Sequence, residues 1–184
     1  MLPSSTRSRR GDIWAHLWPM TKETDGNVII EFAFIAPVLV VLVVNILDFS
    51  SLIWDKMEVD YSAQMGAQAA YKTCSTGTLP ASSNCASLNT VVTTAIQSTS
   101  LGTRVTLATG SPSETYYCVS GTTLESVAVY PSSPPANCST YGSPTVAPGD
   151  YIEVDVTYSY APTLAGMSLA STQTLTSKSI ERLK

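Results

Sequence analysis

Histidine is almost missing from this chain of 184 residues: the single one, His16, lies ahead of a long apolar run. No histidine can therefore act as a catalytic base in the part that follows the run. The chain has no Gly-x-Ser-x-Gly, no His-Glu-x-x-His and no glycine loop that could cradle a phosphate. Charged residues make up only 13%, with a formal net charge of −4, so the basic surface that nucleic acid requires is absent. The four cysteines form no Cys-x-x-Cys pair and have no histidine near them, which excludes zinc. Asp150, Glu153 and Asp155 could hold a cation only if loop carbonyls joined them; the favoured reading is a solvated strand face. Neither an enzyme, a cofactor nor a small-molecule substrate is expected. No internal repeat is found.

What the chain has instead is one apolar stretch from Gly26 to Trp54. Between Phe32 and Leu47 its only polar side chain is Asn45. With Val28 to Ile30 the run reaches about 20 residues, enough for a helix to cross roughly 30 Å of hydrocarbon. Glu31 sits near its start. A carboxylate within a membrane segment costs several kcal/mol unless it is paired, neutralised or close to the interface, so its presence asks for a reason.

Residues 1–26 form a polar leader with Arg7, Arg9, Arg10 and Lys22. It is not a secretory signal peptide: the apolar core starts too late, is too long, and is followed by Trp54-Asp55-Lys56 rather than a small-residue cleavage site. Trp14 and Trp18 lend the leader some amphipathic character. Four basic residues precede the run, and Lys56 stands among Asp55, Glu58 and Asp60 behind it. The positive-inside rule then leaves the N-terminus in the cytoplasm and the bulk of the chain outside.

The expected organisation is a leader (1–26, cleaved), a transmembrane helix (27–54), a continuation of that helix (55–73) and an extracytoplasmic head (74–184). The fold class is α+β: a long N-terminal helix, a short second helix and an antiparallel sheet. The long helix should run from about Thr24 to Tyr71, with Pro37 kinking it near the carbonyl of Ala33. Ala63, Gly66, Ala67 and Ala70 make a stripe of small residues that lets another element approach closely.

Four cysteines beyond a membrane run favour disulfides, and three connectivities are open. Cys74–Cys85 and Cys118–Cys138 are preferred because each closes a local loop. In Ala86 to Leu101, Leu88, Val91, Val92, Ala95 and Ile96 share one helical face, and Gly102 should end that helix. Strands are expected at Arg104–Thr109, Thr115–Ser120 and Glu125–Tyr130. Five prolines mark 131–149 as a loop. Tyr151–Tyr160 alternates most clearly, with Ile152, Val154, Val156, Tyr158 and Tyr160 on one side. Leu169–Ile180 could supply a last antiparallel strand. Tyr116, Tyr117, Tyr130, Tyr141 and Tyr151 add amphipathic aromatics to the head.

The leader ending in Gly26, Glu31 five residues later, and the apolar helix resemble the processing site of type IV pilin-like proteins. More narrowly, Glu31-Phe-Ala-Phe-Ile-Ala-Pro37-Val-Leu followed by Asp48-Phe49 resembles the TadE-like family, the pseudopilins or minor pilins of tight-adherence (Flp-type) pili. The resemblance implies a pilin-like fold and cleavage by a prepilin peptidase between Gly26 and Asn27. It implies assembly roles for Glu31, Phe32 and Pro37. Its expected partners are that peptidase, other pseudopilins, the pilus machinery and the bacterial inner membrane, with the head in the periplasm. The competing reading is an uncleaved, single-span binding or envelope-scaffold protein.

Overall fold

The computed structural model describes residues 25–74 and 79–183, with side chains from Val28 onward in the first stretch. The expected leader, with Arg7, Arg9, Arg10, Lys22, Trp14, Trp18 and His16, lies outside the described residues. Two compact units are distinguished, with the boundary between Val43 and Val44.

The first helix, α1, runs from Asp25 to Cys74 and contains Pro37. It holds no strong helix breaker besides that proline, whose missing N–H costs a single ladder bond. From Val28 to Val43 every residue except Ala36 is exposed. Among the described residues, α1 is the one helix long and apolar enough to cross a membrane.

In the second unit α1 becomes one wall of a core. Val59, Ala63, Ala67 and Ala70 are fully buried. They pack with Val92 and Ile96 of a second wall, α3 (Leu88–Ile96), and with Ile152, Val154 and Val156. A short helix, α2 (Ala81–Asn84), precedes α3 and was not foreseen. The small-residue stripe is what allows the approach. A Cβ built on Gly66 would stand 2.8 Å from Ile96 Cγ2, 3.0 Å from Val154 Cγ1 and 3.3 Å from Val92 Cγ1. One glycine is thus the point where α1, α3 and the sheet meet.

The sheet is antiparallel throughout. Its strands are β1 (Thr106–Leu107), β2 (Ser113–Ser120), β3 (Thr123–Val129), β4 (Gly149–Tyr160) and β5 (Gln173–Arg182). β4 is the spine: β5 pairs along one side of it, while β2 and β1 share the other, and β3 pairs only with β2. The alternation in β4 puts Ile152, Val154, Val156, Tyr158 and Tyr160 into the core. Each fully buried aliphatic side chain of this kind contributes about 1.5–3 kcal/mol relative to exposure.

Two disulfides tie the second unit, Cys74–Cys85 and Cys118–Cys138. The first joins the end of α1 to the residue after α2. The second joins β2 to the proline-rich connection before β4. That connection holds only a single 3-10 turn, Ser139–Tyr141, and one isolated bridge, Cys138–Ser143.

Three expectations need correction. The helix expected over Ala86–Leu101 stops at Ile96, because the Ser98 and Thr99 hydroxyls donate to the carbonyls of Ala95 and Ile96 and compete with the helical ladder. The strand expected over Arg104–Thr109 shrinks to two residues, because Gly102, with φ of +57°, opens a 3-10 turn that runs through Arg104. Asp150 and Glu153 do not lie on a solvated face: both are buried.

Candidate functional site: an apolar helix and its polar clamp

The residues singled out for assembly lie along the exposed part of α1. Glu31, Phe32 and Pro37 are all exposed. Among the described residues the Glu31 side chain makes no ion pair or hydrogen bond. Gly26 and Asn27 fall in the first turn of α1, which begins at Asp25. A peptidase that binds extended substrate would have to unwind that single turn. The terminal turn lacks half of its ladder bonds, so unwinding it is cheap.

The second group of polar residues on α1 had no assigned purpose in the sequence. Asn45 and Asp48, three positions apart, share a helical face at the end of the apolar run. Asn45 Nδ2 donates to the Met167 carbonyl at 3.1 Å, and the Leu169 N–H donates to Asn45 Oδ1 at 2.6 Å. Asp48 is 2% exposed. Its Oδ1 accepts the Thr163 N–H at 3.1 Å, and its backbone carbonyl accepts the Tyr160 hydroxyl at 2.9 Å. Its Oδ2 is buried with no partner among the described residues. Together the two side chains clamp the β4–β5 connection to α1. The signal that could have found them was available: a polar residue inside an apolar run must be satisfied by something, and the only question is by what.

On the head, two carboxylate clusters replace the solvated strand face. Glu153 accepts from the Tyr117 hydroxyl and pairs with Lys178 Nζ at 2.5 Å. Burial pushes its carboxyl up, but the bonds from Lys178 and Tyr117 outweigh this and hold it below the usual carboxylate range. Burial, and then Glu153 itself, push the Tyr117 phenol well upward. Glu114, 1% exposed, accepts the Ala81 and Ser82 N–H groups at 3.0 and 2.8 Å and so caps α2. Asp150 lies beside it. Burial, and then the Glu114 carboxyl, push Asp150 up to about 7. Asp150 therefore keeps its proton at mildly acid pH.

Among the described residues no group of three or more His, Cys, Asp or Glu side chains could hold a metal ion. The clusters are internal, Asp150 Oδ1 being buried without a partner among the described residues, and they organise strands and the α2 cap rather than face an open cavity. The groove lined by Lys56, Asp155, Thr157, Thr176 and Lys178 is open, and its lysines are already engaged with Asp60 and Glu153.

Residues 26–68 match the family model described as TadE-like protein. No curated protein and no solved structure matches the chain. The matched stretch contains Gly26, Glu31, Pro37, Asn45, Asp48 and Phe49, and it ends inside the small-residue stripe at Gln68. It thus covers both the exposed apolar helix and the helix face that the head packs on. Among the described residues one helix is long and apolar enough to cross a membrane, and the match begins on it. Residues 26–68, the segment that carries the site, are therefore similar to the TadE-like family.

Proposed function

We propose that the chain is a pseudopilin, or minor pilin, of a tight-adherence pilus, made with a leader that a prepilin peptidase removes between Gly26 and Asn27. It acts in assembly and performs no chemistry of its own. The observation that carries this reading is Glu31: an exposed carboxylate five residues after Gly26, at the head of an apolar helix, within the TadE-like match.

The physical argument concerns charge. Cleavage leaves Asn27 with a free amine, whose ordinary pKa near 8 makes it cationic at neutral pH. Glu31 lies four residues away. When apolar helices bundle, the carboxylate of one subunit meets the amine of a neighbour staggered along the axis. Water is excluded there, so the attraction is far stronger than at a surface, and an unpaired Glu31 is penalised. The pair selects the stagger. Phe32 and Pro37, exposed on the same stretch, supply apolar contact and helix shape. The N-terminus faces the cytoplasm of the inner membrane and the head faces the periplasm.

Intact mass of the protein extracted from membranes tests the reading. The expected product begins at Asn27, and Gly26→Trp retains the leader. Wild-type protein that still begins at residue 1 in cells holding the peptidase overturns processing and favours an uncleaved binding protein.

A further inference from the structure

Most of the β4–β5 connection, residues 161–170 of 161–172, reads Ala-Pro-Thr-Leu-Ala-Gly-Met-Ser-Leu-Ala and contains no charge. In fact no charged residue occurs between Asp155 and Lys178. Leu164, Met167 and Leu169 are 47%, 46% and 82% exposed, and Leu169 is more exposed than any other large hydrophobic residue described. Apolar side chains held outward on an irregular loop are costly in water. Five of the nine backbone N–H groups of residues 161–170 have partners within the protein. Asn45 takes Met167 O and Leu169 N, Asp48 takes Thr163 N, the N–H groups of Met167 and Ser168 both donate to Leu164 O, and Ala170 N donates to Ser168 Oγ. Irregular backbone survives beside hydrocarbon only when its polar groups are met internally. This loop meets that condition only in part, which suits the interface, where water reaches the remaining groups, rather than the hydrocarbon interior.

Depth follows from the helix it is clamped to. About 20 residues suffice to cross the hydrocarbon, so a span beginning at Val28 ends near Leu47, short of the Trp54 at which the apolar run ends, and Asn45 and Asp48 stand at its outer edge. The next charge along α1 is Asp55, about 10 Å beyond Asp48 at 1.5 Å per residue. Ile46, Leu47 and Phe49 are exposed on α1 at the same level. A small cleft between loop and helix, lined by Val44, Leu47, Asp48, Thr163 and Leu164, continues that apolar surface.

We propose that residues 161–170 are a second membrane contact, a loop that lies in the outer-leaflet interface with Leu164, Met167 and Leu169 among the upper acyl chains. The occupant is lipid, because the uncharged loop continues the apolar surface of the helix at the level where that helix leaves the bilayer. The loop then adds a second lipid contact to the one that α1 makes. This goes beyond the assembly role and depends only on α1 spanning a bilayer.

The test uses the full chain in phosphatidylethanolamine/phosphatidylglycerol vesicles at high lipid-to-protein ratio, with spin labels on Leu164→Cys and Leu169→Cys. Thr122→Cys, at the exposed β2–β3 turn, is the control. The added thiol is the reactive one, since the native cysteines are paired. Labels at 164 and 169 should collide with oxygen several-fold more, relative to a water-soluble nickel chelate, than the label at 122. A loop label that favours the nickel chelate, or one shielded from both reagents as under a protein partner, overturns the proposal. Neither result touches processing or pilus incorporation, so failure here is distinguishable from failure of the assembly reading.

Discussion

Replacing Gly66 with alanine tests how the second unit is held together. Two effects oppose each other. Alanine is favoured over glycine in a helix interior by about 1 kcal/mol. Against this, the new methyl would lie 2.8 Å from Ile96 Cγ2 and 3.0 Å from Val154 Cγ1, closer than carbon atoms tolerate. Both neighbours are β-branched, and Ile96 sits on a helix where its χ1 is nearly fixed. They cannot swing away, so either α1 or α3 must move, at a cost of about 1–3 kcal/mol for overpacking. The net expectation is a loss of up to about 2 kcal/mol. For a protein of this size that lowers Tm by roughly 2–4 °C per kcal/mol. The assay is thermal unfolding of the full chain in mild detergent, followed by near-ultraviolet circular dichroism of the tyrosines. A second variant isolates the clash. Ile96→Leu keeps volume and removes the branch methyl, so Gly66→Ala in that background should lose less, with a coupling of about 1 kcal/mol. If Gly66→Ala raises Tm, or its effect is the same with and without Ile96→Leu, then helix propensity governs the position and close approach does not.

Other expectations follow from the clusters and the clamp. Asp150 holds its proton in the folded state up to about pH 7, whereas in the unfolded chain it releases it near 4. This contribution to stability is therefore full below about pH 4 and is lost as pH rises toward 7; Asp150→Asn, which cannot ionise, should flatten the fall in Tm between pH 5 and 7.5, and an unchanged slope refutes the raised Asp150 pKa. Asp48→Ala should free the Thr163 N–H and cost about 1–3 kcal/mol, seen as faster hydrogen exchange at Thr163, while Asp48→Asn keeps an acceptor and costs less. Each disulfide should contribute about 3 kcal/mol by loop closure, so Cys74→Ser/Cys85→Ser and Cys118→Ser/Cys138→Ser should each lower Tm, the second pair slightly more for its longer loop. Glu31→Leu should reach wild-type levels in membranes with an unaltered head yet co-purify less with pili or partner pseudopilins; equal incorporation would leave Glu31 as a carboxylate parked at the headgroups.

The sequence alone determined the parts whose cause is local. An apolar run long enough to span a bilayer must satisfy its backbone within itself, and α1 follows. Period-two alternation from Tyr151 to Tyr160 assigns one face of β4 to a core, since successive side chains must point opposite ways. The small residues at 63, 66, 67 and 70 announced a close approach, because nothing else gains from the absence of a side chain. What the sequence could not show was the identity of whatever approached. Only the tertiary structure brings Val92, Ile96 and Val154 to Gly66. The same holds for every polar residue that was misjudged. Glu153 and Asp150 looked solvated on β4, but Tyr117, Lys178 and Glu114 arrive from β2 and β5 to enclose them. Asn45 and Asp48 look like blemishes in a membrane run until a loop far along the chain places its backbone against them. The physical reason is that burial of a polar group depends on a partner, and the partner of a side chain on one element is chosen by the packing of another. Local pattern carries propensity and period; it carries no information about which distant donor will fill a given acceptor.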